Sequence, residues 1–352
     1  MNVLLIASYE MGRQPFGVAS PAAWLRDAGA GVHTLDLALE QLDEQKVRAA
    51  DLVAFHLPMH TATRIATAAA VRVREMNPGA HLCFYGLYAP VNEAHLREIG
   101  AGTVLGGEFE EGLVALHARL ASDSGETQRE PVISLARQRF VTPDRTGLPP
   151  LESYAQLEMP GGASKVVGYT EASRGCRHLC RHCPVVPVYG GRFRVVDRDA
   201  VLEDVARQVA AGAEHVTFGD PDFLNGPGHA MPIVRELHER FPKLTYDVTI
   251  KVEHLLRHDA LLPELRDTGC LFVTSAIESI DDAVLERFDK RHTRDDFRRV
   301  VERFREIGLA LSPTFVTFHP WTTPEGYLEL LEEIERLGLV ESVAPVQYAI
   351  RL

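Results

Sequence analysis

The sequence predicts an α/β protein of two domains: a doubly wound parallel sheet, then a partial barrel of six β/α units. Three observations point there. Short, near-continuous apolar runs alternate with amphipathic helical stretches, the pattern of parallel strands covered on both faces. A chain of 352 residues with 45% hydrophobic content exceeds one ordinary domain and can fill two cores. The alternation is interrupted once, over residues 121–164, by a segment rich in Pro, Gly, Ser and charge that reads as an interdomain linker.

In the first domain, residues 1–120, the expected strands are "VLLIAS" (3–8), "VHTLDL" (32–37), "DLVAFHL" (51–57), "HLCFYGL" (81–87) and "GTVLGG" (102–107). Helical stretches such as "PAAWLRDAG", "TRIATAAAVRVREM" and "EEGLVALHARL" lie between or after them. In the second domain, residues 165–352, six strands are expected: "KVVGYTEAS" (165–173), "HVTFGD" (215–220), "TYDVTIKV" (245–252), "CLFVTSAIES" (270–279), "LSPTFVTF" (311–318) and "APVQYAI" (344–350). Six β/α units are too few for a closed eight-stranded barrel and suit an open one, with its chemistry at the carboxyl ends of the strands.

Composition excludes several roles. A net charge of -12 without any basic run argues against a nucleic-acid groove, because phosphate binding needs a basic face. No apolar stretch reaches the roughly 18 residues of a membrane span, and the start "MNVLLIASYE" lacks the basic segment of a signal peptide. The expected location is cytoplasmic, with neither nucleic acid nor membrane as partner. In a reducing compartment, clustered cysteines are metal ligands or catalysts more often than disulfides.

Such a cluster follows the first strand of the second domain. "SRGCRHLCRHCPVVP" (173–187) places Cys176, Cys180 and Cys183 close together in a chain with five cysteines. Three thiolates can hold three irons of a four-iron, four-sulfur cluster and leave the fourth iron open to a ligand that is not protein. The alternative is a zinc site closed by His178 or His182. Cys83 and Cys270 lie inside apolar runs and read as core.

The C-x-x-x-C-x-x-C spacing, on the loop after the first strand of a partial β/α barrel, resembles the radical S-adenosylmethionine (SAM) superfamily. That resemblance implies a 4Fe-4S cluster on Cys176, Cys180 and Cys183, with SAM chelating the open iron and being cleaved reductively to a 5'-deoxyadenosyl radical. The residue before the third cysteine is commonly aromatic in the family, and here it is His182. By resemblance, Gly219, Asp220 and Pro221 of "FGDPDFLN" stand where the family binds the SAM amino group, and Lys251 where a cation meets the SAM carboxylate. Glu278 and Ser279 are the implied ribose contacts. A carboxylate at the end of an apolar strand needs a partner in any case.

The first domain carries no G-x-G-x-x-G after its first strand, which weakens a dinucleotide reading. The run from "VLLIASYEMGRQPFG" through "GGEFEEGLVAL" resembles the Rossmann-like, cobalamin-binding domain that precedes many radical SAM cores. The D-x-H-x-x-G signature of histidine-ligated cobalamin is absent, as it commonly is in radical SAM relatives, which implies a cobalt without a protein histidine. The implied cobalamin-facing residues are Tyr9, Glu10, Met11 and Gly12; Pro58, Met59 and His60; Gly86; and Gly106, Gly107 and Glu108. Histidines at strand ends, such as His56, read as hydrogen-bonded structural groups.

The resemblance implies a cobalamin-dependent radical SAM enzyme, with methylation of an unactivated carbon as a familiar outcome. An external electron donor such as flavodoxin or ferredoxin, and a small-molecule or peptide substrate, are the implied partners. Two alternatives stand: a radical SAM enzyme whose first domain has lost cobalamin, and a zinc-bound binding or sensor protein without turnover. The sequence ends close to the sixth expected strand, so either the barrel mouth is open or a tail is missing.

Overall fold

The computed structural model describes residues 1–122 and 129–352, which divide into two compact units. The first comprises Met1–Thr170, Pro187–Gly190 and Asp199–Ala213; the second comprises Glu171–Val186, Gly191–Arg198 and Glu214–Leu352.

Five strands of the first unit are those expected: β1 (Asn2–Ala7), β2 (Gly31–Asp36), β3 (Leu52–His56), β4 (His81–Tyr85) and β5 (Thr103–Gly107). Their side chains alternate between two cores. Leu4, Ile6, Val53 and Phe55 pack on one face, and Val3, Leu5, Leu52 and Ala54 on the other. Burial on both faces is why each strand reads as an unbroken apolar run. Helices α1 (Phe16–Asp27) and α5 (Glu110–Ala121) cover the second face. Helices α2 (Glu44–Ala49), α3 (His60–Met76) and α4 (Glu93–Glu98) cover the first.

The sheet order is β2-β1-β3-β4-β5-β6, all parallel, so the winding direction reverses between β1 and β3. At such a reversal the loops leaving the two strands diverge to opposite faces and leave a crevice. The segments Tyr9–Gly12 and Pro58–His60 are those loops.

The expected linker is more structured than its composition suggests. Its strand β6 (Ile133–Ser134) pairs with Gly106 and Gly107 and makes the sixth strand of the sheet. Strands β7 (Leu157–Glu158) and β8 (Ser164–Lys165) form a small hairpin, and β9 (Val167–Thr170) forms within the first strand expected of the second domain. Individual polar contacts hold it down: Tyr154 donates to Asp36 at 3.0 Å, and Arg26 meets Asp144 at 2.5 Å. A composition-based reading misses such contacts because each involves one side chain rather than a periodic face. Helices α6 (Val186–Tyr189) and α7 (Arg198–Ala210) fall largely in this unit as well.

In the second unit, β10 (Ser173–Gly175) pairs antiparallel with β11 (Phe193–Val195), so the cysteine loop is drawn up as a closed excursion. Strands β12 (His215–Phe218), β13 (Thr245–Thr249), β14 (Cys270–Glu278) and β15 (Ala310–Phe315) lie side by side in chain order, all parallel. Helices α8 (Pro227–Arg240), α9 (Val252–Arg257), α10 (Leu262–Asp267), α11 (Asp282–Phe288), α12 (Arg294–Ile307) and α13 (Pro324–Arg336) alternate with them. Thr293 and Asp296 form a capping box at the start of α12, and Gly308 ends that helix at φ 68°.

The sixth expected strand does not form. Pro345–Ala349 is a 3-10 helix instead. Pro345 lacks the amide proton that a ladder requires and opens the tight turn. Pairing begins only afterwards, where Phe318 donates its amide to Ile350 and Leu352 to Phe318, both at 2.9 Å.

Candidate active site

The three cysteines sit together on the loop after β10. Cys180 is 8% exposed, and Cys176 and Cys183 are half-buried. Backbone bonds fold the loop: Cys183 N–H donates to Cys180 O at 3.1 Å, and Arg181 N–H to Phe288 O at 2.9 Å. Asn225 accepts at one Oδ1 from Arg177 N–H, 3.2 Å away, and from the Cys176 thiol, 3.8 Å away. Burial pushes the Cys176 thiol up to about 11 and raises Cys183 as well. A bound metal centre reverses that preference, since it holds thiolates at neutral pH. All five cysteines are free, and Cys83 and Cys270 are buried within strands, so the loop offers three thiols and no fourth. Three soft donors on one loop with one position left open suit a site-differentiated iron–sulfur cluster.

Glu278 ends β14 at φ 68°, a left-handed backbone uncommon for a residue with a side chain, just after a break in register between Ala276 and Glu278. The turn aims its carboxylate at the cysteine loop. Oε1 accepts from His182 Nε2 at 3.0 Å and from Lys290 Nζ at 3.3 Å. Burial alone would raise its pKa, but the His182 bond and the Lys290 charge outweigh it and hold Glu278 below the usual carboxylate range. The His182 ring lies 4.5 Å, centroid to centroid, from Phe288. Glu278 and Ser279 open onto a 370 Å³ cavity whose other walls include Thr317, His319, Trp321 and Tyr327.

The residues after β12 behave differently from expectation. Gly219 is half-buried and Pro221 exposed, but Asp220 is 2% exposed and turned inward. Its carboxylate accepts from Ala172 N–H at 2.9 Å and from the Ser173 hydroxyl at 2.5 Å, so it pins the entry to the cysteine loop. Lys251, expected to meet a carboxylate of SAM, is 6% exposed. Its Nζ lies 3.2 Å from His178 Nδ1 and 3.5 Å from Glu253 Oε2, so its charge already has a protein partner. Both arrangements have one cause: strand-end polar groups in a buried rim satisfy one another.

In the first unit the crevice loops are open. Tyr9, Glu10, Gly12, Pro58 and Met59 are half-buried, His60 is exposed, and Met11 is 58% exposed at φ 53°. His56 Nδ1 lies 2.6 Å from Glu10 Oε1, its ring packs against Tyr85 and Phe109, and its Nε2 is crowded by backbone, where a Cβ on Gly17 would come within 2.3 Å. The glycines are explained by packing. A Cβ on Gly86 would meet the His56 ring at 2.9 Å, one on Gly106 would meet Pro90 at 2.1 Å, and one on Gly107 would meet Ser134 O at 2.2 Å. Glu108 is 2% exposed and accepts from the Tyr189 hydroxyl at 3.2 Å. Gly106 and Glu108 instead border a 660 Å³ cavity along Phe109, Gly112, Ala115 and Ala118.

Sequence reasoning missed the tie between His182, Glu278 and Lys290, and the buried group of His178, Asp222 and His254. The available signal was "DPD" after one strand and "KVEH" after the next: charged residues at two adjacent strand ends, where side chains converge.

Residues 170–341 match the family model described as the Radical SAM superfamily. With the three-thiol loop, this defines the class: residues 170–341 carry a radical SAM domain, of a superfamily that uses a 4Fe-4S cluster and SAM. Among solved structures, TsrM, a radical S-adenosylmethionine methyltransferase from Kitasatospora setae, aligns with 96% of this chain and 71% of its own, at TM-score 0.74 and 19% identity. OxsB, a cobalamin-dependent S-adenosylmethionine radical enzyme, aligns with 99% of this chain and 54% of its own, at TM-score 0.70 and 14% identity. At such identities the likeness is one of fold. The tRNA-2-methylthio-N(6)-dimethylallyladenosine synthase of Desulfosudis oleivorans is 29% identical over 196 residues, 53% of this chain and 41% of that protein. The ribosomal protein uS12 methylthiotransferase RimO of Porphyromonas gingivalis is 30% identical over 195 residues, 48% of this chain and 42% of that protein. The match thus spans about two fifths of the length of these curated relatives. No helix among the described residues is long and apolar enough to cross a membrane.

Proposed function

We propose that this radical SAM enzyme is cobalamin-dependent and methylates an unactivated carbon of a small-molecule or peptide substrate in the cytoplasm. The observation that carries the reading is the extent of the likeness to TsrM. It takes in 96% of the chain, and so the doubly wound unit as well as the radical SAM core. TsrM is described as a methyltransferase with cobalamin and a [4Fe-4S] cluster bound.

The donors present fit these groups. Cys176, Cys180 and Cys183 hold the cluster and leave one iron for SAM. Glu278 and Ser279, facing a 370 Å³ cavity, hold ribose hydroxyls, with His182 and Lys290 keeping the carboxylate ionised. The crevice loops Tyr9–Gly12 and Pro58–His60 take the corrin, and no histidine there is free to reach cobalt from a buried position. The chemistry these groups supply when bound is reductive cleavage of SAM by an electron from an external donor such as flavodoxin or ferredoxin, and donation of a methyl group.

A second reading, methylthio transfer, is favoured by the curated relatives, whose similarity covers about half of this chain. Cobalamin separates the two. Anaerobically reconstituted protein is titrated with methylcobalamin and then assayed for 5'-deoxyadenosine release from SAM. Stoichiometric cobalamin binding supports the first reading; SAM cleavage without cobalamin binding rejects it.

A further inference from the structure

Beneath the cysteine loop lies a second set of metal-ligating atoms. Cys176 Sγ, a ring nitrogen of His178 and a carboxylate oxygen of Asp222 lie within 4.8 Å of one another. Asp222 Oδ2 is 3.5 Å from His178 Nε2 and 2.7 Å from His254 Nδ1, and the two imidazole centroids are 4.7 Å apart. Asp222, His254 and His178 are 1%, 3% and 7% exposed, so water does not serve them. His178 Nε2 has no well-directed hydrogen bond, while Asp222 Oδ2 and His254 Nδ1 pair with each other.

Buried polar atoms in this state are costly unless something completes them. Here the unpartnered His178 nitrogen faces the Asp222–His254 pair beside a thiol. One thiolate, two imidazoles and one carboxylate form a donor set suited to zinc and similar ions. The surroundings suit it too. Asp222 Oδ1 is fixed by Leu224 N–H at 3.2 Å, and His178 Nδ1 faces Lys251 Nζ at 3.2 Å and Glu253 Oε2 at 3.5 Å, which hold the ring in place.

We propose that the cluster-free chain holds one zinc-class divalent ion here, with Cys176, His178, Asp222 and His254 as its ligands. Binding releases the Cys176 thiol proton to solvent and leaves the ion's oxidation state unchanged. This inference rests on the assignment of Cys176, Cys180 and Cys183 to the cluster. Because Cys176 belongs to both sets, the ion and the cluster exclude each other. The ion therefore keeps the first part of the loop ordered until the cluster is inserted.

The test uses the full chain, freed of iron by anaerobic chelation and titrated with Co(II) as a coloured substitute for zinc. About one Co(II) per chain is expected, with a thiolate-to-cobalt band of one sulfur and the intense visible bands of four-coordinate cobalt. Cys180→Ala and Cys183→Ala should leave that spectrum unchanged, and Cys176→Ala should abolish the thiolate band. Asp222→Asn and His254→Ala should each weaken binding about tenfold or more. Loss or halving of the band in Cys180→Ala would show cobalt held by the three thiols and overturn the proposal. So would unaltered affinity in both Asp222→Asn and His254→Ala, or no Co(II) binding at all. If circular dichroism shows Asp222→Asn misfolded, Cys180→Ala and His254→Ala decide. Iron–sulfide reconstitution of the same proteins keeps the two assignments apart: Cys180→Ala takes cobalt but no cluster, and Asp222→Asn takes the cluster. Wild type that binds cobalt but never a cluster would fail the cluster assignment alone.

Discussion

Glu278 Oε1 accepts a hydrogen bond from His182 Nε2 at 3.0 Å, joining the left-handed end of β14 to the residue between the second and third cluster thiols. Lys290 Nζ, 3.3 Å from the same oxygen, completes a buried set in which the carboxylate stays ionised. Strain of this kind persists only where the surroundings fix it, and it collects at functional sites. The relationship makes Glu278 the meeting point of the 370 Å³ cavity and the cysteine loop.

Charge-assisted hydrogen bonds to ribose contribute about 1.5–3 kcal/mol, so Glu278→Ala should weaken SAM binding roughly ten- to a hundredfold. Glu278→Gln keeps an acceptor for His182 and should fall nearer the lower figure. Equilibrium dialysis with SAM and iron analysis of the same sample measure both quantities. Unchanged SAM affinity at full iron content would make Glu278 a purely structural group.

Cys180→Ala should abolish the cluster's visible absorption and SAM cleavage while leaving the melting temperature nearly unaltered, since loop thiols contribute little to the core. Cys83→Ser should do the reverse, because it buries a hydroxyl inside β4 at a cost of about 1–3 kcal/mol. Full cluster retention in Cys180→Ala would remove that thiol from the ligand set.

Burial pushes Asp220 up to about 7, although the Ser173 hydroxyl and the Ala172 amide oppose the shift. A raised folded-state pKa favours the protonated fold. That contribution is fully present below the unfolded value near 4 and is lost as pH rises through about 7. In that window wild type should lose up to about 1.4 kcal/mol per pH unit relative to Asp220→Asn. Thermal melts of both proteins at pH 5, 6 and 8 give the comparison, and parallel curves would refute the burial argument.

Much of this was legible in the sequence because it rests on periodic signals. Five strands of the first sheet and five of the second were written as apolar runs, and the cysteine spacing marked its loop. What escaped depends on single contacts between distant positions. Asp220 looked free because its partners Ala172 and Ser173 lie 48 and 47 residues away. Gly106 and Gly107 looked like ligand approaches because Pro90 and Ser134, which need that space, belong to other elements. The sixth strand read as apolar, yet Pro345 turned it into a 3-10 helix.

His56 is sequestered by Glu10 and two aromatic rings, and His60 is exposed at the start of α3. Cobalamin bound in the crevice should therefore carry no protein histidine on cobalt. Electron paramagnetic resonance of the bound Co(II) form should lack nitrogen splitting from the protein, and such splitting that disappears in His60→Ala would refute this.

The central claim is that one chain carries both an iron–sulfur cluster on three thiols and a cobalamin in its first unit. The most direct measurement is a count of iron, sulfide and cobalamin per chain after anaerobic reconstitution. The account predicts about four iron, four sulfide and one cobalamin. Zinc without sulfide, or a full cluster with no cobalamin, would contradict it.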